Sequence, residues 1–225
     1  MAGDIRLVIA IPSGGTWDAN FAMSMIFMTN FIASRGSVHG RKINYRIHNK
    51  RGSILANMRQ GLIEEAIKGD ATHVLFIDSD QTFPADTFHR LMWHKKQVVA
   101  CNVATKMLPS TPTARLAGGV AGVPLYTTKE STGLQEVWRV GTGVMLIDLN
   151  LFKREHMIAP WFTQFWNPKL GSYMGEDWGF CEKLEQAGVK LWVDQDLSKE
   201  IGHMGMLEYT HEAVEVLDVS SCVSA

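Results

Sequence analysis

The stretch Val74-Leu75-Phe76-Ile77-Asp78-Ser79-Asp80 decides how this chain folds. Four apolar residues in a row, with a branched residue at each end, predict a buried strand. That strand halts abruptly on two carboxylates. Upstream, Ser53 predicts an N-cap, and Ile54, Leu55, Met58, Leu62, Ile63, Ala66 and Ile67 follow at helical spacing up to Gly69. Before that helix, Lys42 to His48 alternates, with Ile43, Tyr45 and Ile47 on one face, which predicts a strand. Earlier still, Phe21 to Ile32 has the composition of a packed helix ended by Gly36. The apolar run Ile5 to Ile11 is a first strand, broken at Pro12-Ser13-Gly14-Gly15. Downstream, Pro84 opens a helix to about His94, and Val98 to Cys101 forms a fourth strand.

Strands alternating with helices of this length predict an α/β fold, a mostly parallel sheet covered on both faces. Ligands of such sheets sit outside the carboxyl ends of the strands. Pro12-Ser13, His48-Asn49 and Asp78-Ser79-Asp80 are all strand exits and therefore share one rim. After Pro109 the glycines and prolines mark turns between short pieces. Gly143 to Leu149 is again apolar, Met174 to Gly188 predicts a helix, and Glu208 to Val219 is a further helix candidate. No linker, repeat or low-complexity tract divides the chain, so residues 1–225 are expected to form one domain.

Composition narrows the function. With 46% hydrophobic and 20% charged residues in 225, the chain is globular rather than disordered. No apolar run approaches the ~20 residues that span a bilayer, and Met1-Ala2-Gly3-Asp4 lacks the basic flank of a signal peptide. Cys101, Cys181 and Cys222 are too few for a disulfide framework or zinc cage. These features predict a soluble protein of a reducing, cytoplasmic compartment. The net charge of −1 hides an asymmetry: residues 1–129 hold 15 basic and 8 acidic side chains, residues 130–225 hold 7 and 15. One reading is a solvated surface. The other is a front half that meets an anion and a back half that supplies carboxylates.

Three constellations carry chemistry. Asp78 and Asp80, at i and i+2 past a buried strand, form the oxygen-rich site that hard divalent ions prefer, although Asp and Ser also serve turns and caps. Glu176-Asp177 sits at a helix start, where the dipole alone stabilises acids; one of the pair could act as a general base, since i and i+1 point apart. In Gly202-His203-Met204-Gly205 a neutral imidazole flanked by glycines suits a metal, or simply a polar surface.

Taken together, the strand-end DxD, Gly141-Thr142-Gly143, Glu176-Asp177 and Gly202-His203 resemble the GT-A glycosyltransferases, closest to short, inverting family-2-like members of phages and bacteria. The likeness spans nearly the whole chain, from Ile9-Ala10-Ile11-Pro12-Ser13 to Gly202-His203-Met204-Gly205. It implies a single GT-A, Rossmann-like domain with a nucleotide-sugar half (1–105), an acceptor half (106–225) and a small antiparallel C-terminal part. It also implies that Pro12 and Ser13 line the nucleotide loop, that Arg59 matches a family arginine, and that Asp78, Ser79 and Asp80 meet the donor. Asp80, His203 and Asp78 would hold Mn²⁺ or Mg²⁺, and Asn102 and Lys106 would reach the sugar or diphosphate. Gly141, Thr142, Gly143 and Trp178 would border the acceptor, and Asp177, beside Glu176, would be the base. The donor implied is a nucleoside-diphosphate sugar, UDP-sugar first. In a retaining variant Asp177 would orient the acceptor instead. Gln60, where Asn is usual, and His48-Asn49, where an Asp is usual, depart from the pattern.

A second reading competes. Asp78-Ser79-Asp80-Gln81-Thr82 also fits the DxDxT of haloacid-dehalogenase-like phosphatases, with Asp78 as nucleophile and Asp80 as acid/base. A third is a binding module that uses the basic half on DNA. If the chain is a phage glycosyltransferase, a modified base in DNA is one acceptor; lipid, protein and polysaccharide hydroxyls are equally open. Trp161 and Trp166, with Phe162 and Phe165, read first as core and second as an acceptor platform.

Overall fold

The computed structural model describes residues 3–205 and 208–214. In chain order the first half contains β1 (Ile5–Ser13), α1 (Ala19–Arg35), β2 (Ser37–Val38), β3 (Arg41–Arg51), α2 (Leu55–Lys68), β4 (His73–Ile77), β5 (Gln81–Thr82), α3 (Thr87–Trp93) and β6 (Val98–Ala100). The second half adds β7 (Arg115–Leu116), β8 (Val123–Pro124), β9 (Leu134–Val137), β10 (Val144–Asp148), β11 (Phe165–Asn167), β12 (Ser172–Met174), α4 (Glu176–Gln186), β13 (Leu191–Asp194), α5 (Gln195–Ser198), β14 (Gly202–Met204) and β15 (Glu208–Tyr209).

Eight strands form the central sheet in the order β2-β3-β1-β4-β10-β6-β13-β9. β3, β1, β4, β6 and β13 run in one direction, and β2, β10 and β9 run against them. The sheet is thus mixed but largely parallel, as the alternation of strands and helices predicts. Continuous apolar strands are explained by burial on both faces. Val8, Ala10, Val74, Phe76 and Met145 point toward Leu62 and Ile63 of α2 and Phe180 and Leu184 of α4. Their neighbours Leu7, Ile9, Ile11, Leu75, Ile77 and Val144 point toward Phe21, Met25 and Met28 of α1 and Phe88 and Leu91 of α3. Each fully buried side chain of this size stabilises the fold by about 1.5–3 kcal/mol.

Local chemistry sets the boundaries and corrects several of them. α1 begins earlier than its apolar run because Asp18 caps it, accepting from the Asn20 and Phe21 amides at 2.8 and 3.4 Å. It ends at Gly36, whose φ of 66° suits a residue without a Cβ. Ser53 is not the cap of α2; Ile54 occupies that position without a side-chain bond. Pro84 lies in a turn, and Thr87, which begins α3, donates its hydroxyl to the Pro84 carbonyl at 2.7 Å. β3 continues through His48-Asn49 to Arg51, and β1 through Pro12 to Ser13. The helix expected from Glu208 is replaced by β15 and a single 3-10 turn at His211–Ala213; residues 215–219 lie outside the described residues. Cys101 and Cys181 are buried as free thiols, and Cys222 lies outside the described residues. Among the described residues no helix is long and apolar enough to cross a membrane.

Two small antiparallel additions position the site. β11 pairs with β12, and β5 pairs with β14, which pairs in turn with β15. The β5–β14 register sets His203 opposite Gln81, one residue past Asp80. α4 is pressed so closely onto the segment before β11 that a Cβ on Gly179 would stand 2.1 Å from the Thr163 carbonyl oxygen. Gly179→Ala therefore forces backbone apart, and a loss of about 1–3 kcal/mol in urea unfolding is expected.

Candidate active site

The rim at the carboxyl end of β4 is organised by one buried cation. Arg59, from α2, is 3% exposed and reaches across the rim in two directions. Its Nη2 donates to both Asp78 oxygens, at 2.9 and 3.0 Å. Its Nη1 donates to Glu176 Oε1 at the start of α4, a residue 117 positions away in the sequence. Burial works against the guanidinium charge, but Asp78 and Glu176 outweigh it and the pKa is raised. This ion-pair network bears on two sequence expectations. Asp78 accepts from Arg59 with both oxygens, an ion pair that competes with a metal or nucleophilic role. Glu176 is buried in the same ion pair and tethers α4 rather than facing substrate.

Asp177 is the member of the pair left for chemistry. It is half-buried, with Oδ1 accepting from the Trp178 amide at 2.8 Å. Burial first, and then the charge of Glu176, raise its pKa, with Arg59 and the Trp178 amide opposing. Trp178, on the same first turn, meets Trp138 edge to face with ring centres 5.8 Å apart.

Asp80 faces another group of partners. Lys106 Nζ donates to its Oδ2 at 2.5 Å, and His203 Nε2 stands 3.5 Å from its Oδ1. Burial would raise the Asp80 pKa, but His203, when its ring is protonated, and Lys106 dominate and hold it at about 2. His203 Nδ1 lies 2.8 Å from the Ala104 carbonyl oxygen. A carbonyl only accepts, so in the neutral ring Nδ1 carries the proton and Nε2 turns its lone pair toward Asp80. The Asp80 Oδ1 is buried without a hydrogen bond. An anionic oxygen and an imidazole nitrogen 3.5 Å apart can both lie ~2.1 Å from one dication. These two residues fit a metal that takes its other ligands from phosphate and water. Among the described residues no group of three or more His, Cys, Asp or Glu side chains is assembled to hold a metal by protein alone.

The remaining expectations divide. Ser79 sits between the two acids, and its carbonyl accepts from the Asp18 amide at 3.1 Å. The Gly143 carbonyl accepts from the Asp78 amide at 2.9 Å, so Gly141-Thr142-Gly143 lies directly against the DxD, buried beneath it. Pro12 and Ser13 do not form a loop. Both are buried in β1, where Asn49 donates to the Ile11 carbonyl and to Ser13 Oγ at 2.9 Å each. Asn102 is also withdrawn from any ligand. It is fully buried, accepts from the Ala114 amide at 2.9 Å and donates to the Leu125 carbonyl at 2.7 Å. The basic stretch of the front half is largely consumed internally. Arg41 and Arg46 donate to backbone carbonyls, Lys50 pairs with Glu65, and Arg59 is buried. Trp161 and Phe162 are core, whereas Trp166 is 52% exposed.

No family model matches the chain, and no curated protein does. Solved structures do, 218 chains in all. Protein A197 from STIV aligns over 93% of this chain and 92% of its own, with a TM-score of 0.61 at 16% identity. Drosophila β-1,4-galactosyltransferase 7, a mutant solved with manganese, UDP-Gal and xylobiose, aligns over 98% of this chain and 80% of its own, with a TM-score of 0.50 at 12% identity. The fold is GT-A-like.

Sequence reasoning missed Gln81 and set the exit of β1 two residues too early. Gln81 is 1% exposed with its Oε1 unpaired, and Thr142 Oγ1 and Arg59 Nε are likewise buried and unpaired. With Asp80 Oδ1 these atoms concentrate unsatisfied polar groups in the segments around one rim, a pattern that costs stability and accompanies binding sites. Gln81 gave no signal because a lone Gln after a DxD reads as a turn residue. Gly14–Trp17 is the true exit of β1, concealed because Pro12 looked like a strand breaker.

Proposed function

We propose that the chain is a metal-assisted, inverting glycosyltransferase that moves a sugar from a nucleoside-diphosphate sugar, UDP-sugar foremost, to an acceptor hydroxyl. The observation that carries this reading is the convergence at one strand-end rim of Arg59, Asp78 and Glu176 with Asp80, Lys106 and His203, inside a GT-A-like fold. UDP is favoured because the Drosophila neighbour was solved with UDP-Gal. In the step, the acceptor oxygen bonds to the anomeric carbon as the bond from that carbon to the diphosphate oxygen breaks. The proton of the attacking hydroxyl passes to Asp177, and the nucleoside diphosphate leaves with the bonding pair. A dication on Asp80 and His203 would supply Lewis-acid charge to the diphosphate. Lys106, freed from Asp80, adds a second positive charge at the same place. Arg59 holds Asp78 and α4 in register, so that Asp177 faces the reacting carbon.

A thermal-shift series with UDP, GDP and other nucleoside diphosphates, with and without Mn²⁺, tests this. At about a hundredfold excess over Kd, stabilisation of about 5–10 °C is expected with UDP and Mn²⁺ together, and none from UDP in Asp80→Ala. Indifference to every nucleoside diphosphate would sink the assignment. The phosphatase reading is disfavoured by Asp78, whose oxygens are both engaged by Arg59.

A further inference from the structure

Three indoles from three separate elements open onto one cleft of about 540 Å³: Trp138 from the turn after β9, Trp166 from β11 and Trp178 from α4. The cleft starts at the residue that follows Asp177 and runs along the outer face of α4. There it meets a smaller cleft of about 230 Å³, and the two share Phe165 and Glu182. Trp138 and Trp178 are half-buried against each other, and Trp138 Nε1 donates to Glu185 Oε2 at 3.1 Å. Trp166 is half exposed and meets the likewise exposed Tyr173 edge to face, at 5.2 Å between ring centres. An exposed indole on a concave surface lined by two further indoles suits a ligand that stacks.

The charges of the cleft say what kind of ligand. Arg139 is neutralised by Glu185 at 2.8 Å, and Lys169, Lys183 and Glu182 add charges of both signs to the lining. A polymer of phosphates needs an uncompensated basic track, whereas this lining mixes its lysines with Glu182 and the Arg139–Glu185 pair. Lipid chains need an apolar channel, whereas Asn167, Lys169 and Glu182 line this one with hydrogen-bonding groups. Flat apolar faces beside polar edges match a neutral pyranose or furanose ring, which offers C–H groups on its face and hydroxyls at its rim. The two clefts together hold room for more than one ring.

We propose that this groove is the acceptor site and that the acceptor is a neutral oligosaccharide, stacked on Trp166 and Trp178 with its terminal hydroxyl directed to Asp177. The inference rests on the glycosyltransferase reading for its role, but the binding it asserts is separate.

Tryptophan fluorescence and calorimetric titrations without metal or donor test it, using xylobiose, cellotetraose, chitotetraose, maltotetraose and a short DNA duplex as probes. At least one tetrasaccharide is expected to bind and to shift the indole emission. Trp166→Ala should weaken it about tenfold, while Trp93→Ala, on the exposed end of α3, should not. If no saccharide binds, or if Trp166→Ala leaves affinity unchanged, the groove is not the acceptor site. Salt-sensitive binding of the duplex in place of sugars would also overturn it. Saccharide binding without any nucleotide response would keep the groove and remove the transferase reading, so the two failures are distinguishable.

Discussion

Asp177→Asn is expected to cut the rate of sugar transfer by ~10²–10⁴, the range general-base removal commands, while leaving the protein folded and slightly more stable at neutral pH. The two effects have one origin. Burial and the charge of Glu176 raise the Asp177 pKa, so the folded state holds that proton more tightly than the unfolded chain. Stability contributed by this group is fully present below the ordinary aspartate value and is lost as pH rises through the raised one. Above both, the ionised carboxylate is a cost, which Asn removes. The wild-type rate should climb with pH across the same raised pKa, because only the ionised form accepts a proton. The acid limb of kcat/KM should therefore lie above the usual aspartate range and disappear in the Asn variant. Transfer kinetics over pH, beside urea unfolding, check all three. An Asp177→Asn enzyme with full activity would remove the residue from the mechanism.

That Asp177 and not Glu176 is the free carboxylate was only half visible in the sequence. Helical geometry says that adjacent acids point apart, but not which one points inward. Arg59 decides, and its partners lie 19 and 117 residues away, contacts no local pattern encodes. The sheet was far more legible, because strands buried on both faces must be apolar throughout, and Leu7–Ile11 and Val74–Ile77 are. The antiparallel β10 between β4 and β6 was not, since an apolar run reads the same in either direction. His203 was found by its flanking glycines, yet its approach to Asp80 depends on the β5–β14 register, a pairing of two strands only two and three residues long. Pro12, Ser13 and Asn102 misled for a shared reason. A polar or breaking residue at a strand end looks like a ligand-binding loop until its partners are known, and theirs lie within the protein, Asn49 for Ser13 and Ala114, Leu125, Thr127 and Ser198 for Asn102.

Arg59→Met should be the most damaging single substitution in the protein. The methionine fills much of the same volume, so the loss is electrostatic rather than a cavity. It strands Glu176 and Asp78 near each other with the neutralising charge gone. Breaking a buried pair from one side costs about 3–5 kcal/mol, a large share of the 5–15 kcal/mol that holds a typical domain together. Activity should fall with it, because the start of α4 loses its tether to α2 and Asp177 loses its bearing. Restoring neutrality separates the two losses. Adding Glu176→Gln and Asp78→Asn to Arg59→Met removes both stranded charges, and most of the stability should return, as buried ion networks replaced by neutral groups commonly show. Activity should not return, since amides facing a thioether cannot reproduce a guanidinium gripping both sides of the rim. Urea unfolding of the single and triple variants, with transfer assayed on each, checks the pair of expectations. Recovery of activity with the triple variant would mean that Arg59 serves the fold alone and that α4 finds its place without it.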